Sequence, residues 1–312
     1  MSMHWLDEQL PTGESVFLDH VGFFVEAIEA AGPRLERLGF TVHPVSIHYN
    51  EGPDGALVRS GTANRLVTFD SGYLEVLSAV ADTPLADQLR ASLARYEGLH
   101  LIAFTHERVA SRDPSFAAAG LPMQPTVALR RNLDTPSGPA QVQATVARCQ
   151  PGVMEEGRAQ MLTHGTPELI WLPEYAAHLN GVDALVEMLV VSGDPAEAVE
   201  RYHRFTGCTH SRTGNLHHVD LDRGRLTFSD PSTAAGLLPD LAPASLPFSA
   251  AIVLRASDLE RTRAALSAGG ITPLIAHRDF VCVGPADALG SYIIFTQDID
   301  DDIWAQLQAC VR

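Results

Sequence analysis

The sequence predicts an α+β fold made of one unit repeated four times, and three observations lead there. A strand-like segment, an amphipathic helical segment and further strand-like segments follow one another in the same order four times over. Each helical segment closes on glycine, at Gly39, Gly120, Gly207 and Gly270, where a chain leaving a helix turns left-handed at little cost. Signals for helix starts precede three of them: Asp113-Pro114, Asp194-Pro195 with Glu197, and Ser257 with Glu260.

The elements follow in order. Phe17–Val25 is rich in aromatic and β-branched residues and reads as a strand. Ile28, Ala31, Leu35 and Leu38 recur at helical spacing and give the first helix one apolar face. Strands are expected at Phe40–Ile47, Arg65–Phe69 and Tyr73–Ser78, and a bridging helix at Leu85–Tyr96. Unit two opens with Gly98–Phe104 and continues with strands at Thr126–Arg130, Gln141–Arg148, Ala159–Thr163 and Glu168–Leu172; Asn132–Pro139 reads as a loop. Unit three opens with Ala184–Val191 and ends near Ser229, and unit four closes with Ser291–Thr296. Glu174–Asn180 and Pro231–Pro247 read as linkers, which predicts domains over 14–178 and 179–312.

Composition narrows the function classes. Apolar residues make up 46% and charged ones 19%, a globular balance. With 22 basic against 38 acidic residues the net charge is −16, and no Lys/Arg cluster offers a footprint for nucleic acid or an anionic membrane. Cys149, Cys208, Cys282 and Cys310 lack metal-type spacing and read as reduced thiols. Met1–Gly13 carries Asp7 and Glu8 without a basic start or apolar stretch, unlike a secretory leader. The expectation is a cytoplasmic protein with a small-molecule substrate.

The chemistry concentrates in the first two units. Their opening strands carry His20 and His100, and their closing strands are expected to carry Glu75 and Glu168. A carboxylate within an apolar strand must find solvent, a cation or a metal, because burying it ionised and unpaired is costly. Two His/Glu pairs at matching repeat positions favour a metal. His43 and His48 are placed near a strand end by the site's mouth. The cluster His203, Cys208, His210, His217 and His218 has no ligand spacing and reads as ordinary surface and core.

The phrases Leu18-Asp-His-Val-Gly22, Leu38-Gly-Phe-Thr-Val42, Gly61-Thr62-x-Asn64-Arg65, Tyr73-Leu-Glu-Val76 and Thr166-Pro-Glu-x-x-Trp171 resemble the vicinal oxygen chelate superfamily, specifically its glyoxalase-like group. The resemblance implies four βαβββ modules paired into two cupped, mixed β-sheet domains with helices on the outside. It implies that His20, Glu75, His100 and Glu168 surround one divalent ion: Zn, Ni, Mn, Co or Fe(II). It also implies a lyase or isomerase that abstracts a proton next to a metal-bound oxygen, with Glu168 as the base and a homodimeric assembly. Asn64, Arg65 and Arg130 are the candidates to contact substrate. Two alternatives remain open: an extradiol-type dioxygenase, and a metal-free protein that binds a drug or metabolite.

Overall fold

The computed structural model describes residues 6, 9–51, 56–135, 138–299 and 302–311. Most of the Met1–Gly13 stretch lies outside them up to Glu8. Four βαβββ modules fill the described chain. Module one comprises β1 (Val16–Phe24), α1 (Ile28–Arg37), β2 (Ser46–Glu51), β3 (Leu57–Thr68) and β4 (Tyr73–Ala79), followed by a bridging helix α2 (Pro84–Leu93). Module two comprises β5 (Gly98–His106), α3 (Asp113–Ala118), β6 (Val127–Thr135), β7 (Gly138–Arg148) and β8 (Arg158–His164). Module three comprises β9 (Val182–Val191), α4 (Pro195–Thr206), β10 (Thr209–Thr213), β11 (Leu216–Asp220) and β12 (Arg225–Ser229), and a short helix α5 (Pro231–Ala235) follows. Module four comprises β13 (Phe248–Ala256), α6 (Leu259–Ala268), β14 (Ile275–Ala276), β15 (Phe280–Val283) and β16 (Tyr292–Thr296), and α7 (Ile303–Val311) ends the chain.

In every module the closing strand returns parallel to the opening one. Modules pair through their opening strands, β1 with β5 and β9 with β13, both antiparallel. The N-terminal eight strands run β1-β4-β3-β2-β6-β7-β8-β5, and the β1–β5 pairing closes the circuit into a deep cup. The C-terminal cup stays open at β10 and β14, and β13 joins it to β5 at Ser249 and Leu99. Helices lie outside the cups, where those of one half meet those of the other: the Arg37 Nε–H donates to the Gly269 carbonyl at 2.9 Å.

The four glycines that close the helical segments all have positive φ, from 66° to 86°. Several local expectations change. Strand β2 begins at Ser46 rather than Phe40. Strands β6 and β7 run through most of the segment expected as a loop at Asn132–Pro139, whose residues 136 and 137 lie outside the described chain. The cap of α6 is Asp258, whose carboxylate accepts from the Glu260 and Arg261 N–H groups, while Ser257 donates to the Gly181 carbonyl. Glu168–Leu172 is not a strand: β8 already occupies the place beside β5, and Pro167 opens a single 3₁₀ turn over Pro167–Leu169.

The C-terminal cup is plugged. Trp304 and Leu307 on α7 pack into it against Leu189 and Val191. Glu187 is 2% exposed and fully engaged: Arg225 Nη2 and Trp304 Nε1 each donate to it at 2.7 Å, and the Thr227 hydroxyl donates to it as well. No described helix is long and apolar enough to cross a membrane.

Two predictions follow from buried polar groups here. Replacing Trp304 by Phe leaves Glu187 one donor short, and urea unfolding should show a loss of about 1–3 kcal/mol with ligand binding in the N-terminal cup unchanged. The second concerns buried histidines. His178 accepts from the Thr41 N–H and donates to the Thr68 carbonyl, and His43 pairs with the Thr68 hydroxyl. Burial lowers His178 to about 4 and His43 to about 3, so the folded rings stay neutral where the unfolded chain takes up protons. Stability is therefore full above about pH 6.5 and falls as pH drops toward 4, by roughly 1 kcal/mol per ring near pH 5.5. A urea midpoint independent of pH across that window would contradict this.

Candidate functional site

Strand alternation decides which side chains enter the N-terminal cup. Along β7 the inward set is Val142, Ala144, Val146 and Arg148; β8 adds Gln160, Leu162 and His164. Asn64 and Leu66 enter from β3, Tyr73 and Glu75 from β4, and Leu129 and Arg131 from β6. With His20 and His48 they enclose a cavity of about 70 Å³. Gly22 lets β1 pack closely on β5, since a Cβ there would sit 2.8 Å from the Leu101 Cβ.

A β-bulge builds the most unusual feature. The β1–β5 register shifts between Leu18 and His20, so Asp19 leaves the ladder and turns beside its neighbour. One Asp19 oxygen lies 2.6 Å from His20 Nδ1 and the other 2.9 Å from His164 Nε2. Burial opposes the charge on Asp19, but His164 and His20 outweigh it and hold the carboxyl well below its usual range. With Nδ1–H donating to Asp19, the His20 lone pair is left on Nε2. Nε2 lies 3.6 Å from Glu75 Oε2, and Asn64 Nδ2 donates to Glu75 Oε1 at 2.6 Å. Tyr73 stacks on His20 at 4.3 Å; burial, then the Asp19 and Glu75 carboxylates, push its phenol well above 10. Burial lowers His48 to about 4, so it faces the cavity as a neutral ring, hydrogen-bonded to Thr62.

The other expected site residues lie elsewhere. Arg65 points out of the cup onto Glu29 at 2.8 Å and the Ile28 and His43 carbonyls. Arg130 has the opposite parity to the inward-facing Arg131. Glu168 is exposed on its 3₁₀ turn, outside the closing strand and not among the residues that line the cavity. The Thr-Pro-Glu-x-x-Trp segment instead buries Trp171 against Tyr73 and His164.

His100 misses the cup through register. His20 pairs with Ala103 and Gly22 with Leu101, while Gly22 faces Glu75 and Ala103 faces Gln160. The twofold relation between the modules therefore makes Leu101 the counterpart of His20, and Gln160 that of Glu75. His100 is the extra residue of a second bulge, between the partners of Gly22 and Phe23. Its Nε2 donates to the Tyr96 carbonyl at 2.8 Å and its ring stacks on Tyr96 at 4.0 Å. The four residues expected around one ion thus reduce to His20 and Glu75. Among the described residues no group of three or more His, Cys, Asp or Glu side chains is placed to hold a metal ion. The four-donor centre does not fit this cup.

The sequence reading missed Asp19, His164, Arg131, Arg148 and Gln160. Asp19 carried a signal: an acid next to a histidine inside an apolar strand has nowhere to go without a bulge.

Comparisons with known proteins agree with this architecture. A family model for a glyoxalase-like domain matches residues 18–206. A hypothetical protein from Staphylococcus aureus superposes with TM-score 0.63 at 9% identity, over 90% of this chain and 98% of its own. A mutant of 4-hydroxymandelate synthase from Streptomyces coelicolor gives 0.56 at 14%, over 95% and 96%. A xylose isomerase-like TIM barrel/4-hydroxyphenylpyruvate dioxygenase fusion protein gives 0.56 at 12%, over 97% of this chain and 53% of its own. No curated protein matches the chain. The family match spans more than half of the chain and all of the inward-facing site, and the chain belongs to the glyoxalase-like domain family of the vicinal oxygen chelate superfamily.

Proposed function

We propose that the N-terminal cup is the active site of a small-molecule enzyme of the lyase or isomerase type that abstracts a proton next to a carbonyl. The observation that carries this reading is the continuous line Glu75, His20, Asp19, His164 in a buried cavity. His20 Nε2 and Glu75 Oε2 are the proton-accepting pair. A proton taken by His20 creates an imidazolium between two carboxylates, Asp19 and Glu75. Asp19 fixes the tautomer and orientation, as the buried carboxylate does in hydrolase triads. Negative charge developing on the substrate oxygen faces Arg131 and Arg148, so it forms where guanidinium donors are already in place. The metal-dependent form of the reading needs a four-donor set that this cup does not assemble, so the steps above run through protein groups alone.

A second reading has its own support. Leu101 and Gln160 stand where two of the expected ligands would be, which is what a cup kept for binding alone would tolerate. The dioxygenase reading is weaker, because the buried carboxylate on the opening strand of the C-terminal cup, Glu187, is held by Arg225, Thr227 and Trp304.

Carbon-bound deuterium uptake from D₂O, followed by NMR over a panel of hydroxycarbonyl and keto-acid compounds, tests the proposal. Glu75→Gln and His20→Ala should each slow exchange by about 100-fold or more. Asp19→Asn should slow it by at least about tenfold while the compounds still bind. Wild-type protein that binds these compounds without exchange, with Glu75→Gln binding them equally well, would favour the binding protein instead.

A further inference from the structure

The chain has 38 acidic and 22 basic residues, so acids outnumber the arginines they could pair with. Elsewhere the pairing is visible: Arg201 is bidentate on Glu156 at 2.7 and 3.0 Å, Arg225 holds Glu187, and Arg34 holds Glu97. Three arginines of the N-terminal cup are held differently. Among the described residues Arg131, Arg148 and Arg158 take part in no ion pair.

Arg131 is 5% exposed, and its one hydrogen bond is a long contact of 3.4 Å to the Asn64 amide oxygen. Arg148 donates from Nε to the neutral Gln160 at 3.0 Å. Arg158 lies over the Phe24 ring at 5.7 Å. Arg148 lines both the inner cavity and an adjoining one of about 390 Å³, which Arg158 also lines. The carboxylates close by do not balance them. Asp19 is taken by His20 and His164, and Glu75 is a single charge already bonded to Asn64. The neutral His48 adds nothing to either side. Buried guanidinium groups left short of acceptors are costly, and their planar forks match carboxylate and phosphate oxygens.

We infer that the N-terminal cup takes an oxyanion-bearing ligand, a small organic carboxylate or phosphate, whose anionic group is held by Arg131 and Arg148 where the two cavities meet, with Arg158 beside the outer part of the molecule. The inference names the substrate class of the proton-transfer site and rests on that cavity being the active site. It also determines orientation: the anionic end lies toward β6 and β7, and the reacting carbon faces His20 and Glu75 across the cup.

Calorimetric titration of the full chain with malonate and with inorganic phosphate, at low salt, tests it. At least one of the two should bind with a Kd of about 1 mM or tighter. Arg131→Met and Arg148→Met should weaken that binding by about tenfold or more, and Arg131→Lys by less. Glu75→Gln should bind the anion at least as tightly as wild type, because it removes a competing negative charge while abolishing exchange. Failure of the proton-transfer reading would leave this anion binding intact, so the two failures are distinguishable. Preference for malonate would identify a carboxylate ligand and preference for phosphate a phosphorylated one. Without anion, Arg131→Met should melt no lower than wild type, since it removes an uncompensated buried cation. Lower melting, undiminished binding by Arg131→Met, or no binding of either anion up to about 10 mM would overturn the inference.

Discussion

The antiparallel pairing of β1 with β5 is the constraint on which the N-terminal half depends. It closes eight strands into a circuit and brings the closing strands β4 and β8 to its flanks. Because strand side chains alternate, this one register decides the inner face of every strand around the cup. His20 and Glu75 are inside because they fall on the right parity, and so are Leu101 and Gln160. The two bulges in the same pairing have opposite effects. One turns Asp19 in beside His20, and the other removes His100 from the cup. A polar site in a closed cup is thus assembled by small local departures from regular pairing.

Much of the architecture was legible in the sequence. Helical periodicity at Ile28, Ala31 and Leu35 matches buried positions of α1, and the four glycines mark where the chain turns after each helical segment. The site was legible only in part, for reasons of parity. Arg130 and Arg131 are adjacent and chemically identical, so only the register tells which one faces inward. His100 and Leu101 pose the same problem, and the bulge that separates them comes from contacts between strands distant in sequence. The closing strand of module two was misplaced because Glu168–Leu172 is the more apolar of the two candidate segments, while Arg158–His164 is the one that pairs with β5. What separates them is which one reaches β5 first.

The two cups share a topology and have opposite fillings. In the C-terminal cup α7 supplies Trp304 and Leu307 to the interior, and the buried Glu187 is neutralised by Arg225 and hydrogen-bonded by Thr227 and Trp304. In the N-terminal cup the wall is completed by the turn that carries Ile170 and Trp171 over Tyr73. A buried ion pair that is fully satisfied has little left to offer a ligand. A cup whose cations lack acids is chemically unfinished until something fills it.

The halves are also bound together in a way the linker at Glu174–Asn180 conceals. One apolar cluster runs from Phe23 and Ile102 through Phe116, Tyr202 and Phe205 to Ile252 and Phe295. Phe116 stacks on Phe205 at 5.3 Å, and Phe104 meets the same ring at 5.8 Å. Separating the chain at the linker would leave each part with an aromatic face in water. The C-terminal half therefore acts as a buttress: by covering the outer side of β1 and β5, it holds rigid the strand pair whose inner side carries the site. All four modules thus shape the candidate site, even though only two of them line it.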